Sequence, residues 1–402
     1  MKKIIVIGSN FAGSTAALEL NRKLKKLKTD FEITVISPFD QFLYVPSLIW
    51  VPFGKSQVKE ISFPISPIYK KNQVNFIQDK VLRVNPKENS IDTEKNGKIN
   101  YDFVIVASGV SLNEEAVPGY HYVENIVTPP LAEKCNLKFQ ELIKNPGPVV
   151  VGATQGASCM GAAYEYLFNM EKELRRHGVR EKVKLTWITP EPELGHFGIG
   201  GITGGETMLK TFMNMYHIDY RTNAKIDHIE KDKIVLDGGE ELPYAMSMLI
   251  PPFEGASVMK NSGDLVDEKG FVECHDTYES VKYPNVYVAG LAVKVKSPFS
   301  ETKVNFGVPK TGYPSDVQGK IVAHNIAEKI KGGTDFKSKA FGKIPGICIM
   351  DAGHKEVWIL TDHLFKPRRF EVMIPNVILN IGKLLLEKYM IFKNRHGLTY
   401  LP

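Results

Sequence analysis

Apolar residues along this chain fall in short unbroken runs, each ending in a small-residue turn that opens onto a segment of helical spacing. Ile4-Ile5-Val6-Ile7 leads into Gly8-Ser9-Asn10-Phe11-Ala12-Gly13, with a helix expected from about Ser14. A continuous apolar run is the mark of a parallel strand buried on both faces. The glycine turn and helix after it outline a dinucleotide-binding unit. The outline recurs at 145–166, NPGPVVVGATQGASCMGAAYEY, where Val149-Val150-Val151 precedes the turn. Other strands are expected at Ile33–Ile36, in YDFVIVASG (101–109), at Val183–Ile188, in MSMLIPPFEG (246–255) and in YPNVYVAG (Tyr283–Gly290). A helix with Val317, Ile321, Val322 and Ile326 on one face comes next, closed by Lys331-Gly332-Gly333. The repeat predicts an α/β fold of two Rossmann-like domains and a C-terminal region. Their expected extents are 1–115 with 275–332, then 116–274, then 333–402.

The two turns differ in what they can bind. In the first, Gly8 and Gly13 are in register and Asn10 replaces the middle glycine; Asn tolerates unusual backbone angles better than most residues. Ser37 ends the next strand, where a ribose-binding acid is usual, and offers only a hydroxyl. In the second, the three glycine positions read Gly152, Thr154 and Ala157, and a Thr side chain obstructs the approach of a pyrophosphate. Two residues later stands Cys159, with Glu165 further along the same helix. The second unit therefore reads as a nucleotide scaffold carrying a thiol, whose ionisation a helix N-terminus favours. His196 lies in a glycine-rich loop, TPEPELGHFGIGG, and QFLYVPSLIWVPFG (41–54) is unusually aromatic for a loop.

The C-terminal region holds KIPGICIMDAG, with Cys348 in a strand-like run, and an apolar helix expected from Val377 to Lys393. Leu384, Leu385, Tyr389 and Phe392 recur there at helical spacing, framed by Lys383, Lys388 and Lys393. The net charge is +6. Seven basic against two acidic residues from Lys366 onward put +5 of it on the tail. A basic, amphipathic end predicts an interfacial helix on an anionic membrane surface. With 43% hydrophobic and 24% charged residues in 402, the composition is that of a soluble or peripheral multi-domain protein. No uncharged apolar run reaches the roughly 18–20 residues of a spanning helix. Four cysteines without a C-x-x-C argue against a disulfide framework or a zinc site. The expected place is the cytoplasmic face of the membrane, with no metal and no nucleic acid.

Taken together, FLYVPSLIWVPFG, GASCMGAAYEY, TPEPELGHFGIGG, MLIPPFEG, VPKTGYP, GICIMDAG and LLLEKYMIFKNRHG resemble the sulfide:quinone oxidoreductases, flavoproteins of the two-dinucleotide-domain disulfide reductase superfamily. The match covers nearly the whole chain in the family's order. It implies FAD, sulfide as substrate, a membrane quinone as acceptor, and a redox pair formed by Cys159 and Cys348. Glu165 and His196 are the expected proton carriers, since both types can be tuned towards neutral pH. FAD contacts are implied at Gly8, Asn10, Ala12, Gly13, Ser37, Pro38, Pro46, Val81, Ala107, Ser108, Gly109, Gly290 and Lys310. Lys310 would stabilise charge on the reduced ring, and Tyr389 and Phe392 would stack on the quinone. The chain departs from the family in lacking a third cysteine ahead of the second domain, where Thr128 and Ala132 stand. Cys135 comes seven residues late, on a helix expected to face elsewhere, and Leu291 follows Gly290 where an acid is usual. Three alternatives stay open: a type-II NADH dehydrogenase, a flavocytochrome c-type sulfide dehydrogenase subunit, and a non-catalytic flavin- or persulfide-binding protein. Association of identical chains also stays open.

Overall fold

The computed structural model describes residues 1–299, 302–376 and 381–402. Its parallel strands, in chain order, are β1 (Lys2–Ile7), β2 (Phe31–Ser37), β3 (Asn75–Gln78), β4 (Phe103–Val106), β5 (Val149–Ala153), β6 (Leu185–Ile188), β7 (Ile218–Arg221), β8 (Met246–Ile250) and β9 (Val286–Val288). They form two sheets, one in the order β9-β4-β1-β2-β3 and one in the order β7-β6-β5-β8. Read outward from its first strand, each sheet runs alike: β4-β1-β2-β3 in one corresponds to β8-β5-β6-β7 in the other. That is the internal repeat legible in the two turns. Ile4, Val6, Val35, Val104, Val151 and Met248 are fully buried, as strands covered on both faces require.

Helix α1 (Phe11–Leu27) follows β1, α2 (Pro129–Lys144) precedes β5, and α3 (Met160–Arg176) follows it. Helix α4 (Gly312–Lys331) lies along α1, and Gly332 closes it in the left-handed conformation at φ 74. Ile321, Val322 and Ile326 are buried as expected, whereas Val317 is only partly covered. An antiparallel sheet of β10 (Gly346–Asp351), β11 (Glu356–Thr361) and β12 (Glu371–Asn376) and helix α5 (Gly382–Arg395) complete the chain.

Several expectations are corrected. Helix α1 starts at Phe11, three residues before Ser14. Asn10 is its N-cap in extended backbone, φ −94, so the middle glycine is dispensable because no left-handed angle is needed there. Strand β6 begins at Leu185 rather than Val183. The aromatic run is ordered as a short strand, Phe42–Leu43, and a 3-10 helix, Val45–Phe53, buried on one side. The C-terminal helix begins at Gly382; of the span expected to be helical, Val377 to Asn380 lie outside the described residues.

Candidate active site

At the first glycine turn, Gly8 has φ +103, and a β-carbon there would lie 2.3 Å from the Ala107 carbonyl oxygen. One on Gly13 would lie 2.0 Å from the oxygen of Gly8. Only glycines allow the turn to close this tightly against Ala107-Ser108-Gly109. Across the cleft, Gly290 packs on Ala12, and its N–H donates to Gln318 Oε1 at 2.6 Å. The polar atoms Asn10 Oδ1, Ser108 Oγ and Gln318 Nε2 are buried with no partner among the described residues. Such atoms are costly unless a ligand satisfies them. A nucleotide cofactor fits this cradle. Ser37 Oγ accepts from Ser9 Oγ at 3.0 Å and donates to Phe39 O at 3.1 Å. Lys310 Nζ donates to the carbonyls of Leu291 (2.8 Å) and Val293 (2.7 Å), and burial brings its pKa down to about 7. Pro46 lies in the 3-10 helix, and Val81 is buried at the start of a hairpin strand, Val81–Asn85.

The second glycine turn is filled by the chain itself. Gly156 N–H donates to Asn305 O at 2.8 Å, and Gly307 N–H donates back to Ala157 O at 2.7 Å. The Gln155 amide spans to Ile226, donating to its carbonyl at 2.9 Å and accepting from its N–H at 3.0 Å. Beyond β6, where a ribose acceptor would stand, Glu191 is turned inward. It accepts from Thr189 Oγ1 (2.7 Å), Tyr164 Oη (3.1 Å) and Phe197 N–H (2.5 Å). Burial pushes its pKa up to about 7. The Gly156 amide and the Glu191 carboxylate, two groups a nicotinamide dinucleotide would use here, are thus taken by protein groups.

Cys159 caps α3 and Cys348 lies in β10, paired with Ile359. The two elements are stitched by Asn169, whose Nδ2 donates to Glu165 O at 2.9 Å and Asp351 O at 3.3 Å. Both thiols are free and lie in the field of one buried ion pair, Glu165 Oε2 with Lys383 Nζ. Cys348 also feels Cys159. Its surface is exposed, yet protein encloses the sulfur closely enough to push its pKa up to about 12, burial being the main cause and Glu165 the next.

Here too the sequence expectations need correction. At Cys159 the helix start does provide a donor, Ala162 N–H, but burial outweighs it and the thiol is raised rather than ionised. Glu165, by contrast, is 7% exposed, and burial, opposed by Lys383, leaves its pKa at about 7. His196 is buried against Phe299 and Phe306, at ring distances of 4.7 and 5.0 Å. Burial, with Lys366 and Arg368 nearby, brings it down to about 4, so it does not titrate near neutral pH. Cys135 faces elsewhere, as expected: it is fully buried against Tyr166 Oη at 3.2 Å.

Sequence reasoning missed several residues of the site. The Lys383 ammonium lies 5.5 Å from the Trp50 ring centre, and Trp50 Nε1 donates to Asp351 Oδ2 at 2.7 Å. Buried Tyr44 faces Glu387, Glu165 and Cys348, and Ser47 Oγ donates to Glu387 Oε2 at 2.6 Å. The aromatic density of 41–54 was the only visible signal.

Lys383 and Lys393 do not frame a basic surface. Both are buried and paired, with Glu165 and Asp316 respectively, and the Arg368 side chain is 1% exposed beside Glu371. Three of the tail's seven basic side chains are thus internal, while Lys366, Arg369, Lys388 and Arg395 remain exposed. Ile381, Leu384, Leu385, Tyr389 and Phe392 are exposed too. Tyr389 Oη donates to Pro402 O at 3.0 Å, and the Phe392 ring lies 4.3 Å from that of His396. Among the described residues there is no helix long and apolar enough to cross a membrane and no metal-binding cluster.

Residues 2–298 match the family model described as pyridine nucleotide-disulphide oxidoreductase. The sulfide-quinone reductase of Aquifex aeolicus is 32% identical over 98% of this chain and 92% of that protein. The crystal structure of the sulfide:quinone oxidoreductase from that bacterium superimposes with a TM-score of 0.93 at 31% identity, over 99% of this chain and 92% of the other. A mitochondrial sulfide:quinone oxidoreductase of Dictyostelium discoideum is 27% identical over 72% of this chain and 64% of that longer protein. With this likeness running through both dinucleotide units and the C-terminal region, the chain belongs to the pyridine nucleotide-disulphide oxidoreductases and, among them, to the sulfide:quinone oxidoreductase family.

Proposed function

We propose that this FAD enzyme oxidises sulfide to polysulfide or sulfur through Cys159 and Cys348 and passes two electrons to a membrane quinone. The observation that carries the reading is that two thiols from distant parts of the chain lie in the electrostatic field of the same buried Glu165–Lys383 pair. Joining the thiols as a disulfide removes two electrons and two protons. Hydrosulfide then attacks one sulfur, the S–S bond breaks, and a persulfide forms there while the other cysteine leaves as thiolate. Lys383 stabilises that thiolate, which burial otherwise disfavours. Glu165, with a pKa of about 7, takes the proton of the attacking hydrosulfide. FAD supplies, when bound, the acceptor for the electron pair. Gly8, Asn10, Ala12, Gly13, Ser37, Pro38, Pro46, Val81, Ala107, Ser108, Gly109, Gly290 and Lys310 would hold it, the Lys310 ammonium favouring negative charge.

The flavin half comprises 1–115 and 275–332, the thiol-bearing half 116–274, and the region 333–402 the second cysteine and the quinone end. The exposed apolar face of α5 supports peripheral seating in a bilayer, at the cytoplasmic face, with Tyr389 and Phe392 beside the quinone. Cys159→Ala or Cys348→Ala is expected to retain FAD but lose the bleaching of its absorbance by sulfide. Unchanged bleaching in either variant overturns the proposal.

A further inference from the structure

A cavity of about 440 Å3 opens between the second half of α1, the middle of α4 and the chain end, and the sulfide chemistry does not use it. Its lining includes Arg22, Lys23, Lys320, Lys337 and Lys339, with Glu19 as the single carboxylate among the lining residues. Glu19 is already engaged, accepting from Arg22 Nη2 at 2.6 Å and from Thr399 Oγ1 at 3.0 Å. Lys320 is engaged too, with Asp316 Oδ2 at 3.2 Å and Leu401 O at 2.6 Å. Arg22 keeps part of its donor capacity free, and the remaining lysines have no ion partner among the described residues. Among them no carboxylate lies within 4.0 Å of the ammonium of Lys23, Lys337 or Lys339, and Arg22 Nε is buried without a partner. Lys23 is lowered by burial and by the nearness of Lys337 and Arg22.

Like charges gathered around a concavity in excess of the carboxylates that face them raise the energy of the empty site, and an anion relieves it. A planar guanidinium beside several ammonium groups matches the spread oxygens of a phosphate, and the volume suits a small ligand. We propose that this cavity binds a phosphate-bearing anion, held by Arg22, Lys23, Lys337 and Lys339. Tyr400 forms part of its wall, and two residues later Pro402 O accepts from Tyr389 Oη at 3.0 Å and Lys393 Nζ at 3.1 Å. The cavity is thereby tied to the exposed apolar row of α5, which places a phospholipid headgroup in it with acyl chains along that row. A soluble phosphate ester offers the same chemistry from solution. The proposal is independent of the catalytic reading.

The test uses the full-length holoenzyme with two probes. One is vesicles of phosphatidylcholine, with and without phosphatidylglycerol; the other is inorganic pyrophosphate followed by titration calorimetry. Lys23→Ala/Lys337→Ala is expected to weaken binding by roughly tenfold or more, while Lys23→Arg/Lys337→Arg retains it. Quinone reduction by sulfide in detergent stays unchanged in both. Loss of the phosphatidylglycerol-dependent part alone identifies a lipid headgroup, and loss of pyrophosphate binding a soluble phosphate. Absence of binding to either probe, or a double-alanine variant that binds as the parent does, overturns the site.

Discussion

Glu165 illustrates how burial sets a proton affinity in this protein. Enclosed on α3, its carboxylate would be costly to charge; Lys383 offsets part of that cost and leaves its pKa at about 7. It is protonated below that pH and ionised above it. In its proposed role as the base that accepts hydrosulfide's proton, it is expected to make the rate of sulfide-dependent flavin reduction rise with pH through about 7. In Glu165→Gln that limb is expected to vanish and the rate to fall by roughly a hundredfold. Hydrosulfide's own ionisation is common to both enzymes and cancels in the ratio, so parallel pH profiles would remove Glu165 from the reaction. The thiol and the acid were legible as residue types at a helix start. Their surroundings were not, because Lys383 arrives from 218 positions away and only the fold brings it in. For the same reason His196 looked titratable in its glycine loop, whereas Phe299 and Phe306 close over it.

Helix α5 is inverted relative to an ordinary surface helix. Lys383, Glu387 and Lys393 point inward to partners, while Leu384, Leu385, Tyr389 and Phe392 point out. Sequence spacing identified the apolar row and the exposed Lys388, but placed Lys383 and Lys393 outside as well, since periodicity does not say which face has ion partners. Leu385 and Phe392 are 59% and 53% exposed. Leu385→Glu/Phe392→Glu should leave thermal stability nearly unchanged and reduce co-sedimentation with vesicles by about tenfold or more; unchanged sedimentation would place the membrane contact elsewhere. The segment Asn305–Gly307 is a second element with a readable consequence. It occupies the amide of Gly156, so NADH added anaerobically is expected to leave the flavin oxidised, and prompt bleaching would refute the closure. A β-carbon at Gly307 would lie 2.1 Å from Ser158 Oγ. Gly307→Ala should therefore cost about 1–3 kcal/mol by denaturant titration. Thr154 hinted at an altered nucleotide turn, but no local signal predicts that a loop some 150 residues later would fill it.

Across the whole molecule, the C-terminal region acts as a clasp. Lys393 bonds Asp316 of α4 at 3.1 Å, which in turn accepts from Thr15 of α1 at 2.5 Å, while Thr399 reaches Glu19. Elsewhere Lys172 of α3 donates to Gly353 O at 2.8 Å. Both dinucleotide units are thus held by one terminal segment. Lys393 is fully buried, so Lys393→Met should lower stability by about 3 kcal/mol by leaving buried Asp316 with the partly exposed Lys320 as its remaining ion partner. A midpoint within error of the parent would show that Lys320 alone suffices. The paired sheets were predictable because each parallel strand is a dense apolar run with its own turn; the clasp was not, being made of scattered polar residues. The filled second turn bears on the economy of electrons beyond this molecule. A flavin open to both sulfide and reduced nicotinamide would short-circuit the two, draining the cell's main hydride carrier into the quinone pool whether or not sulfide was present. By plugging that inlet with its own backbone, the chain makes sulfur the gatekeeper of the current it delivers.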